Sequence, residues 1–136
     1  MILLDTSVLS AVLRRRQPGP EERRVRERLQ GLLNSGARVC TPGLVVQELL
    51  SGIREADRFE QIKAVLLRGY PILTASVGDH VLAAEIVNKC RRRGVAFSAG
   101  DALIAALAVN ARARLFAVDE DFERMAQIVP LKLLDG

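Results

Sequence analysis

The segment ILLDTSVL, residues 2–9, decides the fold prediction because it joins an apolar run directly to helix-capping chemistry. Three consecutive apolar residues, Ile2 to Leu4, are typical of a short strand covered on both faces. Asp5, Thr6 and Ser7 belong to the residue types preferred at a helix N-cap, and apolar residues at helical spacing follow from Val8. We therefore predict that Asp5 lies where a strand ends and a helix begins.

The rest of the chain repeats this alternation of strand and helix patterns. Further strands are predicted at residues 38–41, 72–73, 115–118 and 131–134, the last as an edge strand. Helices are predicted at residues 20–35, 42–53, 54–67, 77–93, 98–110 and 121–126, with 44–53 largely buried. In residues 20–35 the apolar stripe is Val25, Leu29, Leu32 and Leu33. Strands that alternate with helices imply a mostly parallel sheet with helices on both faces.

Length and composition indicate one cytoplasmic domain, residues 1–136. No repeat or linker divides the chain, and neither a signal peptide nor a membrane-spanning run of about 18 apolar residues is present. Cys40 and Cys90 are isolated, so we interpret both as reduced core residues. The net charge is +4, and 17 of the 20 basic residues are Arg, which favours a nucleic-acid partner as well as solubility.

Four acidic residues are candidates for a catalytic site: Asp5, Glu48, Asp101 and Asp119. Asp5 and Asp119 follow predicted strands, where ligands bind in open α/β sheets, although either one would also cap the next helix. Glu48 interrupts an apolar helix, and it would otherwise be a boundary residue facing solvent. Asp101 follows Ser98 by three residues, a spacing that also suits a capping box.

Convergence of these acids would require a counter-ion. Ionised carboxylates a few ångströms apart repel one another and raise each other's pKa unless a cation neutralises them. Ligation by oxygen alone, without Cys or His, favours Mg²⁺ or Mn²⁺ over Zn²⁺. Such a site activates water and stabilises charge on a phosphoryl oxygen, which indicates phosphodiester hydrolysis.

Four short motifs occur in an order that is similar to a known family. They are residues 4–7 (LDTS), 46–49 (VQEL, with Gly52 following), 100–106 (GDALIAA) and 118–122 (VDEDF). Over essentially its whole length the chain resembles PIN-domain ribonucleases, specifically VapC-type toxins of bacterial or archaeal toxin–antitoxin pairs. The resemblance implies a PIN-like three-layer α/β/α sandwich with a central, mostly parallel sheet flanked by helices.

The same resemblance assigns roles to the acids. Asp5 and Asp101 would hold the metal most directly. Glu48 and Asp119 would complete the ring, directly or through water. Asp121 corresponds to the accessory acid of the last motif, so the expected metal set contains all five carboxylates.

The family pattern also includes hydroxyl side chains near the acids, and this chain differs from that pattern at one position. Thr6 or Ser7 corresponds to the hydroxyl that hydrogen-bonds the site. The family often has Thr or Ser two residues before the fourth acid, where this chain has Ala117. A supporting hydrogen bond is therefore expected to be missing, which bears on metal affinity or rate.

Partners also follow from the resemblance: an RNA substrate cleaved by metal-activated water without a covalent enzyme intermediate, a cognate VapB-type antitoxin, and a second copy in a homodimer. Basic clusters offer places for phosphates, although a run of charge is usually a solvated face. The clusters are Arg14, Arg15 and Arg16; Arg91, Arg92 and Arg93; and a third surface of Arg23, Arg24, Arg26 and Arg28.

Alternative functions have less support. A catalytically inactive PIN-fold RNA-binding or scaffold subunit would be expected to lose at least one of the four costly acids. A phosphoacceptor domain needs paired acids after the first strand and a late Lys, whereas Lys132 lies in the predicted last strand. His80 is the only histidine and no G-x-S-x-G occurs, so a hydrolase triad is disfavoured. Glycine-rich nucleotide motifs are missing as well.

Overall fold

The computed structural model describes residues 1–14 and 17–134, which form four strands and seven helices. The strands are β1 (Ile2–Leu4), β2 (Val39–Pro42), β3 (Ile72–Leu73) and β4 (Arg114–Phe116). The helices are α1 (Thr6–Leu13), α2 (Pro20–Asn34), α3 (Gly43–Leu50), α4 (Ala56–Gly69), α5 (Val77–Arg92), α6 (Ala99–Asn110) and α7 (Asp121–Ala126).

The strands form one parallel sheet in the order β3-β2-β1-β4. Ile2 pairs with Val39 on one side and with Arg114 on the other, which places β1 in the centre. Every residue of β1 and β2 is buried, as expected for strands covered on both faces. The predicted parallel sheet between helices is confirmed.

The predicted edge strand at residues 131–134 is wrong. Leu131 N–H donates to the carbonyl of Val129 in a tight turn, so the segment reaches β4 only from Lys132 onwards. It forms only an isolated parallel bridge between Leu133 and Leu115.

Helix α3 is shorter and more exposed than predicted. It ends at Leu50 because Ser51 is extended and Gly52 has a φ of 90°, a left-handed conformation that favours glycine. Val45 and Leu49 face the core, but Glu48 is exposed. The expectation that residues 44–53 form one largely buried helix is therefore wrong, and the exposed side of α3 is available to a surface site.

Other boundaries move by a few residues. Strand β4 ends at Phe116 instead of residue 118, because the N–H of Val118 donates to the Ser7 hydroxyl. In α2, Val25 and Leu29 are buried, whereas Leu33 is 38% exposed and does not belong to the buried stripe. Helix α4 begins at Ala56 and ends at Gly69, two residues later than predicted at each end.

Helix α6 crosses the core as an almost entirely buried helix. Its alanines allow close packing against α5, and Ala102, Ala105 and Ala106 are fully buried. Cys40 and Cys90 are buried free thiols, as predicted. Within the described ranges, none of the helices combines the length and apolar character needed to cross a bilayer.

A buried carboxylate joins α5 to α6. Asp79 accepts hydrogen bonds from the Ser76 backbone (2.8 Å) and from the Asn110 side chain (2.7 Å). Ser76 in turn accepts from the Asp79 N–H, which completes a capping box. Burial alone would raise the pKa of Asp79, but these hydrogen bonds and nearby His80 outweigh burial and lower it.

We predict that Asp79→Ala lowers the free energy of unfolding by about 2 kcal/mol at neutral pH, because a charged hydrogen-bond acceptor is lost. Since the fold lowers the pKa of Asp79, this stabilisation is present at neutral pH and declines as the pH falls below 3.8, the ordinary value. Urea denaturation measures the effect. Glu85→Ala, an exposed change on the same helix, is the control; equal stability of Asp79→Ala and wild type would contradict the assignment.

Candidate active site

Asp5 lies at the carboxyl end of the central strand. It caps α1, and its N–H donates to the Phe116 carbonyl at 3.0 Å, which ties the ends of β1 and β4 together. The side chain is only 4% exposed. A carboxylate this deeply buried requires hydrogen-bond partners or a counter-ion.

The Ser7 hydroxyl provides one such partner and links two parts of the site. It donates to Asp5 Oδ2 at 2.6 Å and accepts from the Val118 N–H at 3.1 Å. The Ser7 N–H also donates to Asp5 Oδ2. Ser7 therefore fixes the Asp5 carboxylate and the loop that leads to Asp119 relative to each other.

Thr6 orients Glu48 in the same way. Its hydroxyl donates to Glu48 Oε1 at 2.9 Å, across the gap between α1 and α3. Glu48 Oε2 lies 3.5 Å from the point that a Cβ on Gly100 would occupy. A glycine at position 100 leaves the Glu48 carboxylate next to the first turn of α6, where Asp101 lies.

Asp101 is the acid whose ionisation the site disfavours most clearly. Ser98 caps α6, accepting from the Asp101 N–H, so the capping role considered for this region belongs to Ser98. Burial, followed by the negative charges of Asp5, Asp119 and Glu48, raises the pKa of Asp101 to about 6, against a hydrogen bond to Ser98 that lowers it. The other three predicted acids are thus close enough to Asp101 to affect its ionisation.

Asp119 and Asp121 complete the cluster from the loop after β4. Asp119 Oδ1 accepts from the Asp121 N–H at 3.0 Å, and Arg124 forms an ion pair with Asp121. Carboxylate oxygens of Asp101, Asp119 and Asp121 all lie within 4.8 Å of one another. Sequence reasoning missed Arg124, although its i,i+3 spacing from Asp121 is a recognisable ion-pair signal.

These carboxylates fit a hard divalent cation. The potential ligands are all oxygen atoms, and three of them already lie close enough together to share one ion. Burial and the charges of Asp5, Asp119 and Glu48 raise the pKa of Asp101, and a cation bound beside it would favour its ionised form. Among the described residues, Arg124 pairs with Asp121.

The predicted basic clusters lie in different surroundings. Arg91, Arg92 and Arg93 are exposed around the C-terminal end of α5, and Arg14 is exposed at the end of α1. Arg15 and Arg16 lie outside the described residues. In the third surface, on α2, Arg28 stacks on Phe116 with its guanidinium 5.5 Å from the ring centre.

An apolar cavity of about 370 Å³ borders the site where α3, α5 and α6 meet. Gly100 lies in its wall, next to Asp101, and His80 lines it from α5. His80 lies in the first turn of α5, and no hydrogen bond joins its side chain to the acids in the described parts of the chain. The acids themselves lie outside this cavity.

The sequence profile of the PIN domain matches residues 2–128, nearly the full length of the chain. The chain belongs to the PIN domain family. No curated protein sequence matches it closely enough to count as a relative.

Solved structures share the PIN fold across the whole chain. FitAcB from Neisseria gonorrhoeae superposes with a TM-score of 0.79 at 24% identity, covering 99% of this chain and 97% of that one. VapBC2 from Rickettsia felis, bound to a fragment of promoter DNA, gives 0.77 at 20%, covering 100% and 99%. VapC20 from Mycobacterium tuberculosis, described as a sarcin–ricin loop cleaving toxin, gives 0.73 at 19%, covering 97% and 99%. At these identities the likeness shows the fold.

We predict that Asp101→Asn raises the melting temperature of this PIN domain in EDTA at neutral pH by about 2 to 5 °C. The fold raises the pKa of Asp101 from 3.8 to about 6, so its ionisation destabilises the native state progressively as the pH rises through that interval. Asparagine removes this charge, and the difference should vanish near the low end of the interval. Differential scanning calorimetry measures it.

Asp57→Asn is the matched control, because Asp57 is an exposed acid in the first turn of α4. It should leave the melting temperature of the metal-free protein nearly unchanged. A lower melting temperature for Asp101→Asn than for wild type would show that the acids are not in mutual repulsion.

Proposed function

We propose that this chain is a metal-dependent endoribonuclease and the toxin of a VapBC-type toxin–antitoxin pair. The observation that carries the proposal is the convergence of charge at Asp101, with Asp119 and Asp121 within 4.8 Å and with Asp5 and Glu48 close enough to raise its pKa. A PIN domain with such a cluster is suited to hydrolysis of phosphodiester bonds.

The metal is proposed to be Mg²⁺, with Mn²⁺ as a substitute, because the ligands are hard oxygen atoms. Asp5 and Asp101 would hold it most directly, and Glu48, Asp119 and Asp121 would act directly or through water. When bound, the cation would activate water and stabilise the charge that develops on the phosphoryl group.

The protein's own contribution is preorganisation of the acids. The Ser7 hydroxyl and N–H fix Asp5, and the Thr6 hydroxyl fixes Glu48, so two carboxylates from separate elements are held before substrate arrives. Val118 N–H, held by Ser7, restrains the loop to Asp119, which supports the site where the family often has Thr or Ser and this chain has Ala117. The Ser7 hydroxyl therefore holds both the Asp5 carboxylate and the loop that carries Asp119.

The toxin role rests on the fold likeness together with the acids. FitAcB and VapBC2 share this fold, and VapC20 is described as a sarcin–ricin loop cleaving toxin. We accordingly propose an RNA substrate, a VapB-type antitoxin, a homodimer and a cytoplasmic location for a single PIN domain spanning residues 1–136. An inactive RNA-binding or scaffold subunit, the alternative, would have no need for the cluster of carboxylates around Asp101.

We predict that Asp5→Asn and Asp101→Asn each lower the rate of RNA cleavage by more than about 100-fold, since loss of a metal ligand should exceed the effect of losing an outer partner. Asparagine preserves the cap at position 5, so the fold should persist. Purified protein is incubated with a structured RNA pool in EDTA, Mg²⁺ or Mn²⁺, and cleavage is followed on denaturing gels.

Asp57→Asn, expressed and purified in parallel, accounts for contaminating nuclease and should cleave like wild type. Expression of wild type without a partner should also arrest growth, and Asp101→Asn should relieve the arrest. Wild-type cleavage by either site variant would refute the site assignment. Tight RNA binding with no cleavage under any metal would favour the inactive binding subunit.

We predict that Ser7→Ala lowers kcat/KM for cleavage by about 10 to 100-fold, because the Asp5 carboxylate loses the shorter of its two hydrogen bonds to Ser7 and the Val118 N–H loses its acceptor. A positioning role also predicts weaker Mn²⁺ binding, which calorimetric titration measures independently of turnover. Ser7→Thr, which keeps the hydroxyl, should recover most of both losses.

Ser10→Ala is the control for Ser7→Ala, since Ser10 lies one turn later on α1 and is half-buried like Ser7. Unchanged Mn²⁺ affinity in Ser7→Ala, with only a lower melting temperature, would mean that Ser7 serves the fold alone.

A further inference from the structure

A second concave site lies where α1 and α3 end and α4 begins. This pocket has a volume of about 290 Å³. Its lining consists of Arg14, Gly52, Ile53, Arg54, Glu55 and Arg58. We call it the arginine pocket, because three of these six residues carry guanidinium groups.

Arg58 is held rigidly in this pocket. Its Nη2 donates to the carbonyls of Leu13 (2.9 Å) and Arg14 (2.8 Å), the last carbonyls of α1. No other hydrogen bond of the Arg58 side chain is found across residues 1–14 and 17–134, and a guanidinium has five N–H donors, so some of its donors remain available to a ligand. A fixed guanidinium with spare donors is preorganised for an anion.

Arg14 and Arg54 supply the exposed part of the arginine pocket. Both side chains are exposed, and Arg14 Nη2 lies 3.8 Å from the point where Gly52 would carry a Cβ. Gly52 lacks a side chain, so Arg14 extends back over the turn that ends α3. Glu55 is the one acid in the lining, and it has interactions of its own. Positive charge therefore exceeds negative charge in the pocket.

The arginine pocket and the acid cluster share two helices. Helix α1 begins beside Asp5 and ends at the pocket, so Thr6 and Arg14 are separated by about 12 Å of helix rise. Helix α3 carries Glu48, and Gly52 follows it by one turn. A strand bound at the acids can reach the pocket within a few nucleotides.

We propose that the arginine pocket binds a backbone phosphodiester of the RNA strand whose scissile bond lies at the acid cluster. The inference rests on the proposed function and adds Arg54 and Arg58 to the residues that sequence analysis considered. A guanidinium fork matches two phosphate oxygens, and a fixed one loses little freedom on binding. Carboxylates give RNA no favourable contact in the absence of metal, so a positive site nearby would contribute to binding.

The test separates binding from cleavage. A fluorescein-labelled single-stranded RNA is titrated with protein in EDTA, so that no turnover occurs, and anisotropy is measured over a range of salt concentrations. The Arg14→Ala/Arg54→Ala variant should bind about tenfold more weakly at low salt. Its log–log salt slope should be shallower by about 0.7, the value for one lost phosphate on a single strand. With Mn²⁺, KM for cleavage should rise by a similar factor.

The control removes the same charge elsewhere. Arg38→Ala/Arg68→Ala changes two exposed arginines outside the arginine pocket, one before β2 and one near the end of α4. It should bind RNA like wild type. Arg58 is left intact because it stabilises the end of α1, and melting curves establish that both double variants are folded.

The outcomes are distinct for the two proposals. Weaker binding in the pocket variant alone supports the arginine pocket, even if the wild type fails to cleave RNA with Mn²⁺, in which case the nuclease proposal fails separately. Equal weakening in both double variants would overturn the pocket, since net charge would explain it. Unchanged RNA binding in the pocket variant would overturn it too.

Discussion

Mutual repulsion between the clustered carboxylates is the main constraint that the rest of this structure must satisfy. The fold holds Asp5, Glu48, Asp101, Asp119 and Asp121 at one end of its sheet. Burial, followed by the charges of Asp5, Asp119 and Glu48, raises the pKa of Asp101 to about 6. A fold tolerates such a cluster only if its remainder is stable enough. Here the buried parallel strands and the alanine-rich α6 supply that stability, and Ser7 and Thr6 keep two of the acids in place.

Helix α1 has a negative side chain at its N-terminus and a positive side chain at its C-terminus. Its N-terminus is capped by the Asp5 carboxylate, and its last carbonyls accept from the Arg58 guanidinium. Each arrangement suits the helix dipole, which favours negative charge at the start and positive charge at the end. One short helix therefore separates the acids that we propose for catalysis from the arginines that we propose for RNA binding.

Much of the fold could be predicted from the sequence because local patterns and tertiary structure agree. The run Ile2 to Leu4 before Asp5 is a buried strand followed by a capped helix, and Ser98 caps α6 as its spacing indicates. The failures came from distant contacts in one case and from local turns in others. Val118 leaves β4 for the Ser7 hydroxyl, more than a hundred residues away, and a turn at Leu131 limits the last predicted strand to one bridge. The arginine pocket could not be predicted from the sequence, because Arg14 and Arg58 are 44 residues apart and come into contact only in the folded chain.

Binding of Mn²⁺ tests the central claim most directly, because the account depends on the acids acting as one cation site. Electron paramagnetic resonance detects free Mn²⁺, so a titration of wild type, Asp101→Asn and Asp57→Asn gives their affinities without any substrate. We predict that wild type and Asp57→Asn bind Mn²⁺ alike at neutral pH and that Asp101→Asn binds it at least about tenfold more weakly. Equal Mn²⁺ affinity for Asp101→Asn and wild type would contradict it.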